Sequence, residues 1–205
     1  MVLASSTIIE EIDTMRKSGL ASLAMFYYDF KEDEKKGLRG LLSSVLFQLC
    51  DQSDSYYDIL SEFYLSHHRG AQNPSDDALV HCLRDILNLP GQAPIYLIVD
   101  ALEECLNSST PSSSGEQVLL FVENLINVRL PNLRMCVTSR PEANITGVLE
   151  PLTFRSVSLH NESGQKEDIN NYIKSFVNSN RKMRRWKMED KQLVIDVLIE
   201  RADGM

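Results

Sequence analysis

The 205 residues of the chain suffice for one globular domain with a substantial core and for the beginning of a second. The composition is ordinary for a globular protein, and a net charge of −8 disfavours nonspecific binding of the whole surface to nucleic acid or acidic membranes. The four cysteines form no CxxC pair, and no apolar run approaches the roughly 20 residues of a membrane span. We therefore expect a cytoplasmic protein with reduced, buried thiols.

Helical and strand-like patterns alternate along the first half of the chain. The chain opens in a helix with apolar residues at 8, 9 and 12, and Gly19 ends it. Apolar and aromatic residues then predict a strand over 20–30. Helices are predicted over 38–49, 56–67 and 75–88, the last with Ser75 as its N-cap.

The most informative stretch is the apolar run over 95–99, which ends in Asp100 and is followed by Glu103 and Glu104. Such a run is typical of a strand buried on both faces of a parallel sheet. A nucleotide-hydrolysing site needs one carboxylate to hold Mg²⁺ and another to orient or deprotonate an attacking water. By spacing, Asp100 takes the metal role and Glu104 the catalytic one, as in a Walker B motif. The alternative is a core strand followed by a solvated acidic turn.

The second half continues the alternation. After a Ser-rich loop over 107–115, we predict a helix over 116–128 and strands over 133–138 and 154–159. Two further helices are predicted over 166–177 and 189–201, with Gly204 as the C′ residue of the last. Strands alternating with helices predict an α/β fold with a parallel sheet and flanking helices.

A second polar cluster follows the strand over 133–138. Thr138 at the strand end could hydrogen-bond an attacking water or a phosphate, and Arg140 could meet phosphate charge. The alternative is a strand-ending turn, because Thr, Ser and Pro all favour turns.

Five segments in this order resemble a known family: FYYDF, LRGLLSSVLFQL, LIVDALEEC, CVTSRPE and the terminal ADGM. They are similar to the NACHT-type nucleotide-binding domain of fungal NOD-like receptors, which are STAND-class P-loop NTPases and are also catalogued as the nephrocystin-3-like amino-terminal domain. The resemblance implies a signalling ATPase that switches between a closed ADP state and an ATP-bound oligomer, often in heterokaryon incompatibility or innate defence. It also implies a nucleotide-binding core over 1–160 and the start of a helical subdomain over 161–205.

The resemblance assigns roles to individual residues. Asp100 would coordinate Mg²⁺, Glu104 would activate water and Arg140 would act as the sensor-1 residue. Glu103 and Thr138 would join Asp100 on the nucleotide side. ATP and Mg²⁺ are the implied cofactors. Glu103 stands where the family usually has Asp.

The larger departure is a missing phosphate-binding loop. The family carries its G-x-x-x-x-G-K-[ST] loop just before the position of Val2, after a central strand, and neither occurs in this sequence. We therefore expect a P-loop NTPase-like fold that lacks its first strand, and a partial NTPase domain that is not an autonomous ATPase. We also expect marginal stability or completion by another chain, either a full-length relative or a second copy. The alternative is a complete Mg-ATP-dependent switch whose loop lies outside these residues.

Two lesser patterns have simpler explanations. The histidines at 67, 68 and 81 with Cys82 do not repeat a metal-ligand spacing. The basic cluster over 181–187 is followed at once by Glu189 and Asp190, as in a solvated linker between helices. We therefore expect no metal at the histidines, no specific nucleic acid and no membrane partner.

Overall fold

The computed structural model describes residues 2–28, 37–106, 113–158 and 163–202. It divides the chain into two compact units, Met1–Thr153 and Phe154–Met205. The described residues are mostly helical and include a three-stranded parallel sheet, which confirms the predicted α/β class. Within these ranges, no helix combines the length and the apolar character needed to cross a membrane.

The first unit contains the sheet and the helices around it. Its strands are β1 (Ser22–Tyr27), β2 (Ile95–Asp100) and β3 (Leu133–Val137). Its helices are α1 (Val2–Lys17), α2 (Leu38–Cys50), α3 (Asp54–Ser66), α4 (Asp76–Leu87), α5 (Glu103–Leu106), α6 (Ser113–Asn127) and α7 (Ala143–Leu149), with 3-10 turns at His68–Gly70 and Glu150–Leu152.

These elements confirm most of the predicted order. Ser75 caps α4 as expected, because its hydroxyl accepts a hydrogen bond from the Ala78 N–H at 3.2 Å. The predicted loop over 107–115 is shorter at its end, because α6 already begins at Ser113; residues 107–112 lie outside the described part. Gly115 allows α6 to approach α5 this closely, because a Cβ at this position would lie 2.6 Å from the Cys105 carbonyl oxygen.

The strand order is β1-β2-β3, so β2 lies in the middle, with a parallel neighbour on each side. Alternate residues of β2 enter two different cores, as a two-residue period requires. Ile95, Leu97 and Val99 join the larger core, which α2, α4, α6 and α7 also line. Ile98 faces the smaller core with Ile12 of α1. The strand is therefore buried on both faces, as its apolar run predicts.

Gln48 near the end of α2 and Gln52, which follows the C-cap residue Asp51, close the outer edge of β1. The Gln52 side chain accepts from the Leu23 N–H at 2.9 Å and donates to the Leu23 carbonyl at 2.6 Å. Gln48 does the same for Met25, at 3.0 and 2.8 Å. Four helical residues rise about 6 Å, and two strand residues about 6.6 Å, so the two amides match the strand repeat. The side chains thus supply the bonds that a neighbouring strand would otherwise make.

The second unit contains two helices, α8 (Ser163–Ser179) and α9 (Met188–Ala202), with a 3-10 turn at Arg181–Met183 between them. The helices pack against each other, and Val177 and Ile195 are buried. Both predicted helices are confirmed. The predicted C′ residue, Gly204, lies outside the described residues.

The strand predicted over 154–159 is wrong. Residues 154–158 form no strand, and residue 159 lies outside the described part. The alternating pattern does not mark a buried face here, because Phe154 is fully exposed and Val157 largely so. A strand also needs a partner for its backbone groups, and in the described residues the sheet consists of β1, β2 and β3 alone.

The glutamine bridge generates a stability prediction. Gln52→Leu keeps the volume of the side chain but removes both bonds to Leu23, so we expect a loss of about 1–3 kcal/mol in the free energy of unfolding. Urea denaturation measures the loss. Gln117→Leu, at an exposed position of α6, is the matched control and should change stability by less than about 0.5 kcal/mol. Equal midpoints for Gln52→Leu and the wild type would show that the bridge contributes nothing.

Candidate functional site

The candidate site lies at the edge of the sheet where the parallel strands end. Asp100 is the last residue of β2, and Thr138 follows β3 directly. Because all three strands are parallel, their carboxyl ends meet at this edge. Open parallel sheets bind ligands at this edge.

Thr138 holds Asp100 and the turn after it. The Thr138 hydroxyl donates a hydrogen bond to the Asp100 carboxylate and accepts one from the Ala101 N–H at 3.1 Å. The Thr138 carbonyl accepts from the Leu102 N–H at 3.0 Å, and its N–H donates to the Val99 carbonyl at 2.9 Å. One residue therefore fixes both the orientation of the carboxylate and the exit path of the chain.

Ala101 adopts a left-handed backbone conformation with φ +57°. A residue with a Cβ occupies this region at a cost of order 1–3 kcal/mol, and such residues cluster at functional sites. The turn at Ala101 leads the chain directly from β2 into α5, which starts with Glu103. The surrounding hydrogen bonds from Thr138 hold this conformation in place.

Glu103 and Arg140 form a second link between the ends of β2 and β3. Arg140 Nε lies 3.5 Å from Glu103 Oε1; the Glu103 side chain is 2% exposed, whereas that of Arg140 is 70% exposed. The other carboxylate oxygen, Glu103 Oε2, is buried and has no hydrogen-bond partner among the described residues. A buried carboxylate is costly unless it is paired, so the second oxygen suits a further donor or a cation.

The neighbouring Glu104 has a different environment. It occupies the same turn of α5, where its N–H donates to the Ala101 carbonyl at 3.0 Å, and its side chain is half-buried. The structure brings Asp100, Thr138, Glu103 and Arg140 together through contacts that span the two strand ends. The contact of Arg140 is with Glu103, and Glu104 is the next residue along α5.

The donor atoms of this cluster suit Mg²⁺. That ion takes oxygen ligands, usually one or two carboxylates together with phosphate and water oxygens. In the part of the chain that the structure describes, no group of three or more His, Cys, Asp or Glu side chains could hold a metal by itself. Asp100, oriented by Thr138, offers one carboxylate, and the buried Glu103 oxygen offers a second, which fits an ion that shares its ligands with a phosphate.

Sequence reasoning missed Tyr27, which lies in register with Asp100 on the neighbouring strand. Burial, and then the negative charge of Asp100, raise the pKa of the Tyr27 phenol. The sequence places Tyr27 near the end of a predicted strand, but only the register of the two strands brings it beside Asp100.

The thiols near the site have raised pKa values. Burial raises the pKa of Cys105 to about 12, and the thiol donates to the Leu102 carbonyl at 2.9 Å. Burial and then the charge of Asp100 raise the pKa of Cys136. A thiol with a raised pKa is a poor nucleophile at neutral pH, so these cysteines serve packing.

The double role of the Thr138 hydroxyl can be tested with Thr138→Val. The substitution keeps the shape but leaves the Asp100 carboxylate and the Ala101 N–H each without one bond, so we expect a loss of about 1–3 kcal/mol in the free energy of unfolding. Thr146→Val is the control, because the Thr146 hydroxyl bonds the Glu142 carbonyl at an exposed position. Denaturant titration that finds the same small change in both variants would contradict this role.

Comparison with known proteins identifies the family. Neither a curated protein nor a solved structure is significantly similar to the chain. Residues 2–140 match the family described as Nephrocystin 3, N-terminal. This segment contains the whole sheet and every residue of the candidate site. Because the match takes in well over half of the 205 residues, the chain belongs to the nephrocystin 3 N-terminal family.

Proposed function

We propose that the chain is a partial NACHT-type signalling NTPase domain, related to the STAND P-loop NTPases of fungal NOD-like receptors. The observation that carries the proposal is the pair of links between the ends of β2 and β3, Asp100 with Thr138 and Glu103 with Arg140. Two buried carboxylates and one exposed guanidinium at this edge suit a magnesium-bound phosphate better than a solvated turn. The cofactors would be Mg²⁺ and ATP, and the protein would act in the cytoplasm.

Each of these residues would have its own role in the site. Asp100 would bind Mg²⁺, and Thr138 would keep its carboxylate oriented. Glu103 holds Arg140 at the edge of the site, where most of that side chain is open to solvent and could meet phosphate oxygens. Glu104 keeps its proposed role as the group that orients or deprotonates water. Mg²⁺ would supply positive charge that stabilises the phosphate during transfer.

The 205 residues contain no Gly-rich phosphate loop. Backbone N–H groups and a lysine of that loop normally cradle the β- and γ-phosphates. We therefore propose that this chain alone is not an autonomous ATPase, and that it acts by association with full-length NACHT relatives or with itself.

The edges of the sheet favour β3 as the surface for such association. The outer edge of β1 is closed by Gln48 and Gln52. In the described residues β3 has β2 as its single neighbour, so its outer backbone groups face no strand there. An edge strand of this kind pairs readily with a strand from another chain.

A second candidate function is a complete Mg-ATP-dependent STAND switch whose phosphate loop lies outside these residues. It uses the same cluster, so the buried, oriented Asp100 supports it equally. The two candidates differ in whether this polypeptide binds the nucleotide with useful affinity.

Calorimetric titration of Mg-ATP into the purified chain separates the candidates. We expect no micromolar binding, because the phosphate cradle is absent from the sequence. Micromolar binding that Asp100→Asn abolishes would instead support the complete switch. Asp58→Asn, at an exposed carboxylate of α3, controls for the change in net charge. Binding that survives Asp100→Asn would contradict both candidates, because Asp100 would then lie outside the site.

A further inference from the structure

Three side chains form a row across the carboxyl edge of the sheet. Tyr27 and Asp100 are partners in the β1–β2 register, and Thr138 follows Val137, the partner of Val99. Side chains in register on parallel strands project from the same face, and neighbouring strands lie about 4.8 Å apart. The row therefore runs Tyr27, Asp100, Thr138, on the face that α1 covers through Ile12 and Ile98.

We propose that Tyr27 borders the cation site at Asp100, on the side opposite Thr138. Its hydroxyl would donate a hydrogen bond to a water or phosphate oxygen of the bound ligand. This inference rests on the proposed function, because it takes Asp100 as the ligand of the cation. It adds a residue from β1 to a site otherwise built from the ends of β2 and β3.

Exposure is the first observation in favour of this role. Tyr27 is 49% exposed, whereas its neighbours Phe26 and Tyr28 are buried in the larger core. Asp100, its partner in the register, is 4% exposed. Tyr27 therefore places a large, half-exposed ring next to a buried carboxylate.

The hydrogen bond of the phenol is the second observation. The Tyr27 hydroxyl donates to the Met25 sulfur at 3.6 Å. A thioether is a weak acceptor, so the hydroxyl loses little when it turns to an oxygen of a ligand. A phenol carries its proton at neutral pH, so the group can act as a donor.

A role in packing alone is the competing explanation. Tyr27 shares its face with Met25 and the smaller core, so its ring could simply cover the end of α1. Such a role needs no cation nearby. The two explanations therefore differ in whether Tyr27 lies close to an ion that is bound at Asp100.

Terbium(III) provides that readout. It binds hard oxygen ligands, as Mg²⁺ and Ca²⁺ do, and it luminesces when a nearby tyrosine absorbs the exciting light. We expect luminescence from the wild-type chain titrated with Tb³⁺, loss of most of it in Tyr27→Leu and complete loss in Asp100→Asn. Calorimetry should show that Tyr27→Leu still binds Tb³⁺. Tyr57→Leu, at an exposed tyrosine of α3, is the matched control and should keep the wild-type signal.

Other outcomes overturn one proposal or both. If Asp100→Asn abolishes the luminescence but Tyr27→Leu keeps it, Asp100 stands as the metal ligand and Tyr27 does not border it. If the wild type binds no Tb³⁺, or if Asp100→Asn binds it unchanged, the assignment of Asp100 fails and that of Tyr27 fails with it.

A second measurement uses Mg²⁺ alone. In a chain labelled with ¹³C at the tyrosine ζ carbons, Mg²⁺ should shift the Tyr27 resonance, identified by its absence from Tyr27→Phe, and leave that of Tyr57 in place. If saturating Mg²⁺ leaves the chemical shift of the Tyr27 resonance unchanged, the inference is overturned.

Discussion

The position of β2 constrains the rest of the first unit. This strand has a parallel neighbour on each side, and α1 covers one face while α2, α4 and α6 cover the other. Such a strand has no surface left for polar side chains except at its ends. A carboxylate on it must therefore lie at the carboxyl edge, as Asp100 does, and must find its partners on the neighbouring strand ends. Thr138 donates a hydrogen bond to it from the end of β3, and Tyr27 is its register neighbour on β1.

The same constraint explains why the two acidic residues of α5 differ. After the left-handed Ala101, the Leu102 N–H donates to the Thr138 carbonyl, so α5 starts beside the end of β3. Glu103 faces into this junction and is buried, with Arg140 as its charge partner, while Glu104 lies on the more open side. Two adjacent carboxylates thus have different environments because a single strained residue sets the direction of the short helix that carries them.

Much of this arrangement could be predicted from sequence, and the failures have physical causes. Hydrophobic periodicity located β2 and α2, and the Ser75 cap located the start of α4, because these signals are local. The strand predicted over 154–159 failed because alternation does not reveal whether a partner strand exists. Tyr27 was missed for the same reason, since strand register is a non-local property. The burial of Glu103 depended on the backbone of Ala101, and no residue type in the sequence signals a left-handed alanine.

The glutamine bridge on β1 also restricts the symmetry of any assembly built through the sheet. If the β1 edge of one copy could pair with the β3 edge of the next, the contact would join unlike surfaces and could repeat without end, as in a filament. Gln48 and Gln52 occupy the backbone groups that such pairing needs. Pairing of two copies through their sheets is then restricted to one β3 strand against another, which relates the copies by a twofold axis and closes after two. Two side-chain amides, one in the last turn of α2 and one just after it, would in this way set an upper limit on the size of a sheet-mediated oligomer.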